Sequence, residues 1–362
     1  MSKVSRRIVL GGTTSAAFAG LIRPAAAAEG RPLRLAANEN PYGPCESAKQ
    51  AMAAAMADGW MYDVEDVGTL VRLIAEREGV RPENVLITEG SGELLKIAGL
   101  AYGSNGAEVV SAYPTFNQLQ DYAVRTGGRL LNVELDKDMR HDLAAMEGRV
   151  TNRTGIVYVC NPNNPTGTMV APDKLRSFIN AVSNRAIVLV DEAYLDLCDD
   201  PAKNGMIDQV KAGKNVIIAR TFSKVHGMAG LRVGYGLARP DIIARLKELT
   251  TSSPNRMGLK AAIASYQDLA FQAESRKLVR QAVAQTTAVV KELGLPYAPS
   301  QTNFIFFDTG RPLTLYLAGM RDMNIQVGRP FPPYTTWARV SMGRVEQMPM
   351  FFDAMRTYFK KA

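Results

Sequence analysis

Five short apolar runs of strand type recur along the middle of the chain, and each ends at a turn-forming or charged cluster. The runs and their clusters are NVLIT before EGSGE, AEVVSAY before PTF, GIVYVC before NPNNPTG, AIVLV before DEAY, and NVIIA before RTFSK. Helical patterns, such as 93–101 and 172–182, separate most of these runs. Continuous apolar strands that alternate with helices are typical of a parallel sheet covered on both faces. The pattern therefore predicts an α/β fold.

The pattern changes after residue 240. Long helical stretches fill 241–293, and the strand-like segments TNFIFFD, NIQVGR and WARVSMG precede a closing amphipathic helix over 345–360. This predicts a smaller α+β domain over 241–362, beside a large domain over 59–240. Residues 29–58, with a helix from about 45, are predicted to form an N-terminal arm that packs with the small domain.

The N-terminus has the features of an export signal. Lys3, Arg6 and Arg7 form a basic region, 8–21 is weakly apolar, and alanines at 26–28 supply a small-residue cleavage pattern. The apolar part is shorter than the roughly 20 residues that a membrane span needs. These features predict a twin-arginine signal peptide over 1–28, export by the twin-arginine machinery, and a periplasmic protein with no membrane span.

Composition argues against several classes of function. Removal of 1–28 takes away four positive charges and no acid, so the net charge falls from +8 to +4. The remaining basic residues form no stripe with aromatics between them, so nucleic acid is not an expected partner. Three cysteines without a C-x-x-C pair and two histidines predict neither a disulfide framework nor a metal site. We interpret His226 as a loop residue rather than a catalytic acid.

The five clusters are predicted to meet in one crevice, because ligands of parallel sheets lie beyond the carboxyl ends of the strands. A lysine at the end of a buried strand, such as Lys224, can lose its charge and form a Schiff base with a carbonyl compound. Thr221, Ser223 and Arg232 suit a phosphate, and so does the glycine-rich turn that opens a helix at Gly90. These residues together indicate a carbonyl cofactor with a phosphate tail.

Asp191 ends a predicted buried strand, where a carboxylate needs a cationic partner. A protonated pyridine nitrogen is such a partner, and its protonation makes the ring an electron sink. Tyr194 and Asn164 are candidates to hydrogen-bond a ring hydroxyl, and Phe116 to stack on the ring. Each of these residues alone is more often a turn or core residue, and their joint position at one sheet edge supports the functional interpretation.

Six motifs give the chain a resemblance to pyridoxal-phosphate aminotransferases of class I/II. The chain is most similar to the histidinol-phosphate aminotransferase branch of that group. The motifs are NENPYG at 38–43, GSGELL at 90–95, NPNNPTG at 161–167, DEAY at 191–194, SKVHGMAGLRVGY at 223–235 and RVSMG at 339–343. The resemblance implies fold type I, with a large domain around a mostly parallel sheet, a smaller α+β domain and a homodimer.

The resemblance also implies a role for each matched residue. Lys224 would bind pyridoxal 5′-phosphate and move the substrate proton, with Asp191 on the ring nitrogen. The other implied cofactor residues are Tyr194 and Asn164 on the ring hydroxyl, Phe116 on the ring, Ser91, Gly92, Thr221, Ser223 and Arg232 on the phosphate, and Tyr62 on the phosphate across the dimer interface. Arg339 would bind the substrate α-carboxylate, with Asn38 and Tyr42 nearby. The reaction would be a ping-pong transfer from an L-amino acid to a 2-oxo acid.

The chain departs from the histidinol-phosphate branch in three respects. Gly328 precedes Arg329 with added prolines, in a strip that usually helps to recognise the substrate tail, and this argues against a phosphorylated substrate. The acidic residue of the glycine turn is displaced to Glu93. An export signal is also at odds with a cytosolic histidine pathway. We therefore expect a periplasmic transaminase of secondary or amino-acid metabolism.

Two other functions stay open on the sequence. A decarboxylase, lyase or oxidase of the same fold and cofactor would use the same lysine and aspartate. A non-enzymatic periplasmic binding protein for phosphorylated ligands is the third interpretation, although binding alone does not need Lys224.

Overall fold

The computed structural model of the protein describes residues 31–63 and 65–360. The predicted signal peptide over 1–28 lies outside these residues. Among the helices of the described part, none is both long and apolar enough to cross a bilayer.

A seven-stranded sheet forms the centre of the molecule. Its strands are β2 (Val85–Thr88), β3 (Glu108–Tyr113), β4 (Arg129–Glu134), β5 (Thr154–Cys160), β6 (Ile187–Asp191), β7 (Val216–Thr221) and β8 (Gly234–Ala238). Across the sheet the order is β2-β8-β7-β6-β5-β3-β4. Only β8 runs antiparallel to its neighbours, β2 and β7. The predicted α/β architecture with a mostly parallel sheet is confirmed.

Helices cover both faces of this sheet. They are α1 (Glu46–Ala55), α2 (Asp66–Glu78), α3 (Ser91–Gly103), α4 (Gln118–Arg125), α5 (Leu143–Gly148), α6 (Pro172–Val182), α7 (Pro201–Asn204), α8 (Ile207–Lys211), α9 (Pro240–Lys247) and α10 (Arg256–Gln267). In β5, Val157 and Val159 belong to the core on one face, whereas Ile156 and Tyr158 belong to the core on the other. Because successive strand residues point to opposite faces, a strand covered on both sides is apolar throughout.

A second core surrounds a three-stranded sheet of order β12-β10-β9. Its elements are α11 (Leu269–Glu292), β9 (Tyr297–Ala298), β10 (Phe304–Asp308), α12 (Leu313–Asp322), β11 (Ile325–Val327), β12 (Trp337–Ser341) and α13 (Met348–Lys360). The arm strand β1 (Leu33–Leu35) pairs with β11 and places Leu35 in this core. Helix α1 packs on α10 instead, and α9 and α10 contribute to the cores of the seven-stranded sheet. The division at residue 240 stays a prediction.

The sheet topology brings the five sequence clusters to one edge. Strands β2, β3, β5, β6 and β7 are mutually parallel, so their carboxyl ends lie on the same side. Because β8 returns antiparallel to β7, the connection over 222–233 also stays at that edge. This connection contains Lys224 and Arg232.

Candidate active site

A cavity lies at this carboxyl edge, and it gathers ten of the predicted site residues. Its predicted lining residues are Ser91, Gly92, Phe116, Asn164, Asp191, Tyr194, Thr221, Ser223, Lys224 and Arg232. Gln118, Cys160 and Ala193 also line it, and the sequence interpretation did not single them out. Gln118 begins α4 two residues after the PTF cluster, so its closeness to that cluster was the available signal.

Asp191 is a buried carboxylate at the end of β6, with only 2% of its surface exposed. The Tyr158 hydroxyl donates to its Oδ2 at 2.9 Å, and the Ala193 backbone N–H donates to its Oδ1 at 3.1 Å. Burial raises the pKa of Asp191 to about 6, although the Tyr158 hydrogen bond opposes that rise. Asp191 forms no salt bridge with a side chain of 31–63 or 65–360, so the site can accommodate a cationic ligand group beside it.

Lys224 follows β7 and is partly buried. Its Nζ donates to the backbone oxygen of Asn38 at 2.9 Å and lies 5.2 Å from the ring centroid of Tyr194. Desolvation and, to a smaller extent, the nearby charge of Arg339 lower the pKa of Lys224 to about 8. A substantial fraction of the amine is therefore neutral near pH 8, which is the nucleophilic form.

One end of the cavity is built for an anion. Helix α3 begins here at Ser91, and no side chain of the described residues caps its first turn. Arg232 has a left-handed backbone, with a φ of 56°, and forms no ion pair within the described part of the chain. Gly90 has a φ of 74°, and a Cβ there would lie 2.4 Å from Arg232 Nη2. Only glycine lets this guanidinium lie against the helix start, where free N–H groups attract anions.

Arg339 lies on β12, beside the cavity, where it lines a neighbouring groove. Its Nη1 donates to Asn164 Oδ1 at 2.7 Å, and its Nη2 donates to the Ala36 backbone oxygen at 2.9 Å. Its buried Nε has no partner in the described structure. Burial and the charge of Arg329 lower the pKa of Arg339 to about 10. A buried guanidinium without an acidic partner fits a carboxylate of a ligand.

Asn38 links the arm to this site. Its Nδ2 donates to the Tyr194 hydroxyl at 2.9 Å, and its Oδ1 accepts from Ser341 Oγ at 2.8 Å. The predicted substrate residue Asn38 is therefore next to Tyr194 and Lys224.

Asn38 and Arg339 contact lining residues without lining the cavity themselves, and three further residues singled out in the sequence also lie outside its lining. Tyr42 uses its hydroxyl to accept a hydrogen bond from the Val345 N–H, and its predicted substrate contact stays a prediction. Tyr62 is 96% exposed, so its role across a dimer interface also stays a prediction. His226 is buried beside Phe222 and hydrogen-bonds Ser265 Oγ through Nδ1 at 2.8 Å.

Comparisons with known proteins match nearly the whole described chain. The family model for aminotransferase class I and II matches residues 31–355. Histidinol-phosphate aminotransferase of Moorella thermoacetica is 38% identical over 328 residues, which cover 90% of this chain and 84% of that protein. The corresponding protein of Brevibacillus brevis is 36% identical over 277 residues, 76% of each chain.

Solved structures agree with these sequence matches. Histidinol-phosphate aminotransferase from Sinorhizobium meliloti, in complex with pyridoxal-5′-phosphate, superposes with a TM-score of 0.85 at 27% identity, covering 91% of both chains. The enzyme of the same name from Clostridium acetobutylicum has a TM-score of 0.84 at 17% identity, covering 91% of this chain and all of that one. The second likeness concerns the fold alone.

Proposed function

The chain belongs to the class I and II aminotransferase family, and from that membership we propose that Lys224, Asp191 and Arg339 catalyse amino-group transfer from an L-amino acid to a 2-oxo acid. Its cofactor is pyridoxal phosphate, as the family and a structural neighbour with that ligand support. One observation carries the assignment of roles: a lysine of lowered pKa, a buried carboxylate and an anion-binding helix start line the same cavity.

The charges of the cavity fit this cofactor. Arg232 and the start of α3 provide positive charge for a phosphate, and Asp191 provides negative charge for a ring nitrogen. Phe116 and Ala193 line the cavity between them and offer apolar surface to a ring. Lys224 supplies the amine. The cavity therefore offers a complementary group for each chemical part of pyridoxal phosphate.

Pyridoxal phosphate supplies an aldehyde that condenses with amines and a ring that withdraws electrons from the substrate α-carbon. Asp191, as a carboxylate, stabilises positive charge on the ring nitrogen. Lys224 Nζ, with its lowered pKa, accepts and returns the proton that moves from the α-carbon. Asn38 receives a hydrogen bond from this amine through its backbone oxygen, and so directs Nζ towards the Tyr194 side of the cavity.

Arg339 orients the amino acid in this proposal. Its guanidinium is fixed by Asn164 and Ala36, and a bidentate contact to the α-carboxylate would set which α-carbon bond breaks. Arg339→Lys should raise the KM for the amino donor by about 10- to 100-fold, because one point charge replaces a planar fork.

Steady-state kinetics with the donor varied would measure this effect. Arg344→Lys is the matched control, since Arg344 contacts the Pro41 backbone oxygen and lines neither the cavity nor the groove beside Arg339. An unchanged KM in Arg339→Lys, or an equal rise in the control, would contradict the assignment of Arg339.

We propose that the substrate side chain extends into a groove beside Arg339. Arg321 and Arg329 line this groove together with Gly328 and Asn324. Neither Arg321 nor Arg329 forms an ion pair with a described side chain, so the groove favours a donor with an anionic tail. An acidic amino acid is such a donor. Histidinol phosphate, which the relatives' names give, has an imidazole side chain and a phosphate ester in place of the α-carboxylate, so it would bring its negative charge to Arg339 instead.

A donor screen tests the function directly. The purified protein, loaded with pyridoxal phosphate, is mixed with each amino acid and with histidinol phosphate, and the cofactor absorption is followed to the amine form. Conversion without an acceptor, and return on addition of a 2-oxo acid, is expected. Release of carbon dioxide or ammonia in place of this reversible exchange would favour the decarboxylase, lyase or oxidase interpretation.

We also propose that the protein is a homodimer. Met56, Trp60 and Tyr62 are largely exposed within seven residues of each other. Such a concentration of large apolar side chains is typical of a contact surface. A second copy is the proposed occupant, with Tyr62 directed to the phosphate end of the partner's cavity. Mass measurement in solution tests this, and a monomer at micromolar concentration would contradict it.

Export remains a proposal that rests on the sequence of residues 1–28. A periplasmic location predicts that Arg6→Lys combined with Arg7→Lys leaves the full-length protein in the cytoplasm. Fractionation of cells, with a periplasmic marker, would measure the distribution. Equal periplasmic amounts of the variant and the natural sequence would count against a twin-arginine signal.

A further inference from the structure

Tyr158 reaches the site from inside the sheet. It lies on β5, its side chain is completely buried, and it belongs to the core between the sheet and helices α3, α4 and α9. Its hydroxyl donates to Asp191 Oδ2 at 2.9 Å. Strands β5 and β6 pair with Cys160 opposite Asp191 and Tyr158 opposite Leu189. The hydroxyl therefore approaches the carboxylate from the neighbouring strand, within the rigid part of the sheet.

The two oxygens of Asp191 each receive one hydrogen bond. Oδ2 accepts from Tyr158, and Oδ1 accepts from the Ala193 backbone N–H. Donors on both oxygens fix the rotation of the carboxyl group, and each oxygen keeps a lone pair for a ligand. Without the hydroxyl of Tyr158, Oδ2 would lose its side-chain donor, and the carboxyl group would be held from one side only.

We propose that Tyr158 is a positioning residue that keeps Asp191 ionised and oriented for the cationic ring nitrogen of the cofactor. The inference rests on the proposed function in one respect, namely that Asp191 is the group that pairs with this nitrogen. Tyr158 does not touch the cofactor in this account and acts only through Asp191.

The other groups near Asp191 do not replace this hydrogen bond. The titratable groups that influence Asp191, or are influenced by it, are Tyr158, Cys160, Tyr194 and Lys224. Burial raises the pKa of Cys160 and of Tyr194, so both are neutral in the physiological range. Lys224 favours the ionised carboxylate by charge, but no hydrogen bond joins the two side chains in the described structure. Tyr158 is thus the side chain that donates directly to Asp191.

A simpler interpretation is that the contact only satisfies a buried hydroxyl. In that case the loss of the hydroxyl would lower stability and leave cofactor binding and its pH dependence unchanged. The positioning role predicts that cofactor binding and its pH dependence change when the hydroxyl is lost, because hydrogen bonds to charged groups stabilise the charged form. Cofactor affinity measured as a function of pH therefore separates the two interpretations.

The experiment compares Tyr158→Phe with the natural sequence after removal of the cofactor. Each protein is titrated with pyridoxal phosphate by fluorescence between about pH 5 and about pH 9. For the natural sequence, affinity should fall as the pH drops through the pKa of Asp191, which is about 6. For Tyr158→Phe, this midpoint should rise by about one pH unit, so that affinity should fall about tenfold at about pH 5 and about twofold at neutral pH. An unchanged midpoint and affinity would overturn the inference.

Tyr235→Phe is the matched control. Tyr235 lies buried on β8 of the same sheet, and its hydroxyl has no contact with Asp191. This variant should retain the natural midpoint and affinity. If it shifts the midpoint as much as Tyr158→Phe does, the effect belongs to the core in general, and the positioning role is wrong.

Asp191→Asn separates this inference from the proposed function. If Asp191→Asn binds the cofactor as well as the natural sequence does, the pairing with the ring nitrogen fails. If Asp191→Asn weakens binding and Tyr158→Phe does not, only the role of Tyr158 fails. The double variant Tyr158→Phe/Asp191→Asn completes a double-mutant cycle. The double variant has no buried charge at position 191, so its cofactor affinity can be measured even if Tyr158→Phe alone is unstable. Equal affinities of Asp191→Asn and the double variant are expected, and a further loss in the double variant would contradict the inference.

Discussion

Replacement of Lys224 by alanine should lower the rate of transamination by at least about 10⁴-fold, because both the amine that binds the cofactor and the base that moves the proton are lost. The fold should survive, since within 31–63 and 65–360 the Lys224 side chain makes one hydrogen bond, to the backbone oxygen of Asn38. Single-turnover conversion of a donor, followed by cofactor absorption, measures the loss. Lys174→Ala is the control, because Lys174 is exposed on α6, away from the cavity.

Borohydride reduction gives an independent measurement of the same residue. It should attach the cofactor irreversibly to the peptide that contains Lys224, and mass spectrometry would locate it. The rate at which the cofactor-free protein captures pyridoxal phosphate should rise as the pH passes through about 8, the pKa of Lys224, and level off about one pH unit higher, where the amine is mostly neutral. Label on a different lysine would refute the assignment.

Asp191→Asn is expected to reduce the rate by about 10² to 10³-fold, since removal of one partner from a buried ion pair leaves the other charge uncompensated. The stability of the cofactor-free protein, in contrast to the rate, should rise. Burial raises the pKa of Asp191 above its unfolded value, so the native state loses stability as the pH rises from about 4 to about 6. The asparagine variant avoids this loss.

The prediction therefore has two measurements. At neutral pH, the melting temperature of the cofactor-free variant should exceed that of the natural protein, while its catalytic rate falls. Such a combination is typical of an active-site charge that reduces stability. Asp173→Asn, at an exposed position of α6, should change neither quantity appreciably. A variant that is slower and also less stable would indicate a structural role for Asp191.

The sequence predicted which residues gather around one cavity where a strand ended in a distinctive cluster. Asp191 ends a buried strand, and Asn164 and Lys224 follow shortly after one. Parallel pairing brings such strand ends together whatever their distance along the chain. Tyr158 was missed because it lies within the apolar run GIVYVC, where an aromatic residue indicates core. Its hydrogen bond depends on which residue of β6 is opposite, and the sequence does not contain that register.

The packing of the arm was also beyond sequence patterns. The pairing of β1 with β11 and the contact of α1 with α10 join segments that are distant along the chain. Where short strands such as β1 and β11 form is determined by the surface on which they pack rather than by their own propensity. The amphipathic patterns of α9 and α10 predict helices, but they do not identify which of the two cores these helices join.

The hydrogen bonds around Asn38 have a consequence for the kinetics of folding. Asn38 contacts Tyr194, Lys224 and Ser341, which follow it by 156, 186 and 303 residues. Closure of such long loops is entropically unfavourable and is repaid only when most of the chain is ordered. A chain that has not yet reached Ser341 therefore lacks the hydrogen bond that fixes Asn38 beside Tyr194 and Lys224.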